Sequence, residues 1–153
     1  RLINHGPTVL VTSAHGGRRN VMAAAWSMPV EFTPPRIAVV IDKKTFTREL
    51  VAASGAFAIC LPGTALAGLT YAVGRPVIEQ GCAAWLECRL IPERHTEDAY
   101  DTCFAEVVAA AADARIFVNG RWDYRDDNAA LQPIHHLGAG NFVRAGGVVR
   151  GAA

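Results

Sequence analysis

Apolar and polar positions along the chain fall into short runs divided by turn-forming residues. Pro7 to Ser13, PTVLVTS, is a β-branched run that ends at HGGRRN, where Gly16 and Gly17 supply the positive φ of a tight reversal. This predicts a hairpin whose return strand is Val21 to Trp26. Within it Ala23, Ala24 and Ala25 are poor strand formers that leave one face bare, open to something flat. Phe32-Thr33-Pro34-Pro35 breaks the pattern, because proline cannot donate to a ladder. RIAVVID, Arg36 to Asp42, then resumes as an almost wholly apolar strand, expected to be central.

From Thr45 the period turns helical, with Phe46, Leu50 and Ala53 on one face, Thr45 or Thr47 as N-cap and Gly55 closing the helix. Ala56 to Leu61 and Cys82 to Ile91 read as strands, while Thr64 to Val73 fits no single pattern. Cys103 to Ile116 sets two rules against each other. Its alanines and the spacing of Phe104, Val107, Val108 and Ala111 favour a helix, whereas alternation through Cys103, Ala105 and Val107 favours a strand; on local grounds the helix wins. Asn119-Gly120 is a hairpin dipeptide, and the tail from Leu131 to Val149 carries three glycine-bearing breaks around short apolar runs. Many short strands with few helices suggest a barrel, and the lack of repeats or a long linker implies a single domain over residues 1–153.

Composition narrows the function classes. A chain of 153 residues can bury roughly 70% of its unfolded surface, and with 51% hydrophobic and 19% charged residues it lies outside the disordered class. Fifteen basic residues against 14 acidic ones give no field to attract nucleic acid or an anionic membrane. The longest apolar run, Val107 to Ala112, is far short of the ~20 residues of a membrane span. Cys60, Cys82, Cys88 and Cys103 form no C-x-x-C pair and read as buried or half-buried thiols of a cytoplasmic protein.

Several motifs are weak. Gly138-Ala139-Gly140 lacks the further glycine and βαβ setting of a dinucleotide fingerprint, and Ser13, Ser27 and Ser54 have no nucleophile-elbow context. His135 and His136 are adjacent, so on an extended strand one at most faces a pocket, and no metal site is expected. His5, His15 and His95 fall in expected loops. The stronger cluster is Asp42-Lys43-Lys44-Thr45-Phe46-Thr47-Arg48, where free amides of a helix start, lysines and hydroxyls favour an anion. Beside a bare strand, such a clamp suits a ligand with one charged end and one aromatic end. Flavin mononucleotide (FMN) has that shape, and so do other phosphorylated aromatics such as pyridoxal phosphate.

NVMAAAWSMPVEFTPP (20–35), followed by RIAVVIDKKTFTREL (36–50), resembles the flavin reductase-like, flavoredoxin-type FMN-binding split barrels. The likeness continues through GAFAICLPG (55–63), GCAAWLECRL (81–90) and HHLGAGNF (135–142). It implies a mainly β fold, a six-stranded antiparallel split barrel with a few short helices, and it places the stretch around Cys103 to Ala112 on a barrel strand. It further implies a homodimer with one FMN per subunit near the interface. By resemblance the isoalloxazine ring lies along Asn20, Val21, Met22, Ala23, Ala24 and Ala25, with Trp26 nearby, and the phosphate meets Lys44, Thr45 and Thr47. The implied activity passes hydride from NADH or NADPH to flavin N5, with no catalytic side chain. The alternatives are a non-catalytic FMN electron carrier or sensor, a ferric-chelate reductase, or a partner of a monooxygenase. Two departures stand out. Relatives often carry serine or threonine in the alanine run, and between Leu61 and Ile78 this chain lacks an S-G-r-x-x-D-K-f-like segment before Gly68-Leu69-Thr70.

Overall fold

In the computed structural model, which describes residues 6–72 and 82–146, the chain builds one large antiparallel sheet and two small ones. The first hairpin is β1 (Val9–His15) and β2 (Arg18–Ala24), followed by β3 (Ser27–Phe32) and β4 (Pro35–Val40). Helix α1 (Phe46–Ser54) leads to β5 (Ala56–Pro62), a 3-10 turn over Thr64–Leu66 and the short helix α2 (Ala67–Ala72). After β6 (Cys82–Ile91) come α3 (Arg94–Tyr100) and β7 (Thr102–Ala112). Two small hairpins complete the described chain: β8 (Phe117–Val118) with β9 (Arg121–Trp122), and β10 (Ile134–Gly138) with β11 (Asn141–Arg144), separated by a 3-10 segment over Asp126–Leu131.

The large sheet has the order β2-β1-β5-β6-β7-β4-β3. Its two edge strands, β2 and β3, are consecutive in the chain and joined only by Ala25 and Trp26. Crossing from one edge to the other in two residues draws the edges together, and the Val40 amide, donating to the Trp26 carbonyl at 3.0 Å, extends the β3–β4 ladder up to that crossing. The sheet thus rolls into a split barrel. Register follows the apolar pattern: Val11 lies opposite Met22 on one side and Ile59 on the other, and Ile59 lies opposite Leu86. Cross-strand partners share a face, so this row points inward together. With Val9, Val39, Ile41, Phe57 and Cys103 it forms the core.

The sheet has seven strands where six were expected. The extra one is Ser27–Phe32, for which no strand was expected; as β3 it is an edge strand, where Pro29 is tolerated because one side carries no ladder. Pro35 opens β4 and is likewise tolerated. The Cys103 stretch is a strand, against its local helical pattern. As β7 it is paired on both sides, by β4 and β6, with Cys103 and Ala105 fully buried. Two ladders of non-local hydrogen bonds outweigh a helix preference worth only a few tenths of a kcal/mol per residue. His15 and His95, expected in loops, lie exposed at the end of β1 and on α3. His5, the end of the Thr64–Val73 stretch and the end of the tail lie outside the described residues.

Helix α1 forms as its pattern predicts. Thr45 caps it, its hydroxyl accepting from the Arg48 amide, and Gly55 closes it in the left-handed conformation. Arg48 lies inside the fold, giving Nη2 to Glu97 Oε2 at 2.8 Å and Nη1 to Cys103 Sγ at 3.0 Å. One guanidinium thereby joins α1, α3 and β7. Removing one member of such a buried pair strands the other charge. Among the described residues no helix is long and apolar enough to cross a membrane.

Gly63 is packed against the 3-10 segment: a Cβ there would sit 2.4 Å from the Ala130 carbonyl oxygen and 2.7 Å from Leu131 Cα. Both neighbours are backbone and cannot swing aside. Gly63→Ala is therefore expected to cost about 1–3 kcal/mol, read as a lower urea midpoint at unchanged slope. An unchanged midpoint would mean that the segment yields freely.

Candidate functional site

Where β2 leaves the sheet, the chain opens a cleft of about 410 Å³. One wall is the bare run Met22, Ala23, Ala24 and Ala25 with Trp26. Small side chains there hold back the surface, so backbone and methyl groups form a flat apolar floor. The second wall comes from α2, which contributes Thr70 and Tyr71, and the third from the β10–β11 hairpin, which contributes His136 and Phe142. His136 and Phe142 face each other across that hairpin with ring centroids 5.5 Å apart. The Tyr71 ring lies against Gly140, where a Cβ would be 2.8 Å from it, so the second and third walls touch. Thr8 and Val40 close the floor, and Asp42 stands at the rim.

Asp42 also belongs to the start of α1. Its carboxylate accepts from the Lys44 amide at 2.8 Å, and its carbonyl accepts from the Thr45 hydroxyl at 2.7 Å. The cleft and the helix N-terminus are therefore neighbours through one residue. At that terminus the Lys43 amide is taken by Asp101 and the Lys43 ammonium by the Asp98 carbonyl. Lys44 is exposed, and the first helical amides, Phe46 and Thr47, have no carbonyl one turn back. An anion placed there meets the positive end of the helix and one exposed lysine.

The residues singled out by sequence divide accordingly. Met22, Ala23, Ala24, Ala25 and Trp26 line the cleft. Val21 does not; it is buried in the fold. Asn20 lies over a second groove, and its Nδ2 donates to Thr47 Oγ1 at 2.8 Å. Thr47 is 0% exposed, so its hydroxyl serves β2 and α1 rather than the surface. Thr45 is engaged as the cap, and Lys44 alone of the three projects into solvent. Of the adjacent histidines, His136 lines the cleft. Thr8, Tyr71 and Phe142 carried no signal in the sequence, since they come from segments far apart and only the fold assembles them.

Among the described residues three buried side-chain hydroxyls have no hydrogen-bond partner: Thr8, Ser13 and Thr70. Two of these, Thr8 and Thr70, line the cleft. Ser13 lines the second groove, of about 870 Å³, on the outside of β1, β5 and β6. Cys60 borders that groove too; a hydrogen bond from Cys82 holds its thiol below the usual range and pushes the Cys82 thiol up. Burial pushes Cys88 up to about 12 and Cys103 to about 11, so both stay protonated and unreactive at neutral pH.

Residues 3–67 match the family described as flavin reductase like domain. Over 172 aligned positions the chain is 51% identical to the uncharacterized protein YddH of Escherichia coli K12, covering 95% of this chain and 90% of that one. The alignment is longer than the chain, so YddH carries residues that this chain lacks. Among solved structures, the FMN-binding domain of a flavin reductases-like enzyme from Shewanella baltica OS155 shares 37% identity over 99% of this chain and 92% of that one, with a TM-score of 0.87. Flavoredoxin from Methanosarcina acetivorans shares the fold at 19% identity and a TM-score of 0.75, covering 98% and 90%.

Asn20→Ala should leave the buried Thr47 hydroxyl without a partner. The expected loss is about 1–2 kcal/mol of unfolding free energy in chemical denaturation. No loss would mean that the Asn20–Thr47 bond does not support the helix.

Proposed function

The chain belongs to the flavin reductase-like family, and from that premise we propose that it binds FMN and is an NADH- or NADPH-dependent flavin reductase. The observation that carries the reading is the adjacency, through Asp42, of a flat alanine-floored cleft and a helix N-terminus with an exposed lysine. The first suits a planar aromatic ring and the second a phosphate. At about 410 Å³ the cleft lies in the range of small-molecule sites. When bound, the flavin supplies acceptance of hydride from the nicotinamide and its onward delivery.

The protein's share is positioning. Ala23 to Ala25 offer the ring main-chain groups and methyls, and no hydroxyl. Trp26, 59% exposed, forms the edge of the floor, and Tyr71, His136 and Phe142 fence it from water. At the other end, the Phe46 amide and the Lys44 ammonium hold the phosphate. The Thr45 and Thr47 hydroxyls are spent inside the fold, so the side-chain part of the clamp rests on Lys44. No side chain need act as nucleophile, because orientation and charge stabilisation suffice. Beside the cleft, the edge strand β3 leaves Met28, Val30 and Phe32 exposed, Phe32 at 93%, and this is the face we assign to a homodimer.

Protein reconstituted with FMN should lose its oxidised-flavin absorbance promptly when NADH or NADPH is added without oxygen. A bound flavin that neither bleaches would make the protein a carrier or sensor instead. Lys44→Ala should weaken FMN binding by roughly 3- to 10-fold and leave riboflavin, which lacks the phosphate, unaffected, as judged by fluorescence titration. Equal weakening of both would put the phosphate elsewhere.

A further inference from the structure

Thr8 stands at the foot of β1, where its amide donates to the Ile134 carbonyl at 2.8 Å, and it borders the cleft beside the alanine run. Thr70 faces the same cleft from α2. The two are 3% and 2% exposed, and neither hydroxyl has a partner among the described residues. A buried hydroxyl without a partner is destabilising, and valine has nearly the same shape without that penalty. The cost falls twice at one place, on two separate walls. Of the other polar side chains lining the cleft, the Asp42 carboxylate is engaged by the Lys44 amide, and Tyr71 and His136 belong to the walls across from the alanine run, which itself has no polar side chain.

We propose that Thr8 and Thr70 are ligand-anchoring residues of the cleft, whose hydroxyls bond the heteroatoms of the flavin ring from two sides. The proposal rests on the FMN reading above and adds to it the side chains that orient the ring. A threonine hydroxyl both donates and accepts, so each can meet either a carbonyl or an N–H at the ring's edge. Between them they would set the ring's rotation within a floor that is otherwise apolar and therefore permissive.

The test compares Thr8→Val, Thr70→Val and, as a control in the other groove, Ser13→Ala, with wild-type protein. Two quantities are measured: the thermal midpoint without ligand, and the dissociation constants of FMN and riboflavin by fluorescence titration. Each valine variant should keep or raise the ligand-free midpoint and bind both flavins more weakly by roughly 3- to 10-fold. Thr8→Ser and Thr70→Ser should restore the affinity, and Ser13→Ala should leave it unchanged. If wild type binds FMN and both valine variants bind it equally well, the anchoring role is overturned while the FMN reading stands. Valine variants that lose ligand-free stability but keep affinity would make the hydroxyls structural and would overturn the anchoring role in the same way. Wild-type protein that takes up no FMN would overturn both.

Discussion

The chain must carry one sheet edge to the other within two residues, Ala25 and Trp26, and the β3–β4 ladder runs up to that crossing, its last bond from the Val40 amide to the Trp26 carbonyl. Rolling up brings the two open edges close without pairing them, since β2 and β3 share no ladder. The barrel is therefore split at this point. The cleft sits in the split. Bulky side chains from Met22 to Trp26 would fill it, and the run Ala23-Ala24-Ala25 keeps it open.

Helix α1 is held against this opening by interactions that face inward. Thr47 is tied to Asn20 of β2, and Arg48 is tied to Glu97 of α3 and Cys103 of β7. Neighbouring residues thus divide the labour. Thr45, Thr47 and Arg48 fix where the helix begins, and Lys44 and the Phe46 amide present its positive end outward. A helix start fixed by buried polar contacts presents its dipole in a constant direction, which an anion site requires.

The walls across from β2 come from elements with little regular structure of their own. The six-residue helix α2 and the β10–β11 hairpin meet where Tyr71 covers Gly140. The hairpin is tied to the foot of β1 by the bond from the Thr8 amide to the Ile134 carbonyl. The two elements bring to the cleft the rings of Tyr71, His136 and Phe142 and the hydroxyl of Thr70, while Trp26 and Thr8 come from the sheet side.

Much of this was legible in the sequence. The hairpin turning on Gly16-Gly17, the apolar strand before Asp42 (which lies next to the sheet edge rather than at its centre), the helix capped by Thr45 and closed by Gly55, and the bare strand at Ala23 to Ala25 follow from periodicity and from local steric and capping chemistry, which act within a few residues. The strand identity of Cys103 to Ala112 was not decided by local chemistry, which pointed to a helix. Two flanking strands, distant in sequence, supply the hydrogen bonds that reverse it. Nor could the sequence show that Thr47 faces Asn20 rather than solvent, or that Thr8, Thr70, Tyr71 and His136 share a cleft with the alanine run. Those facts depend on which way a side chain points once β2, α1, α2 and the last hairpin are packed. Only tertiary structure, through contacts between segments far apart in the chain, sets that direction.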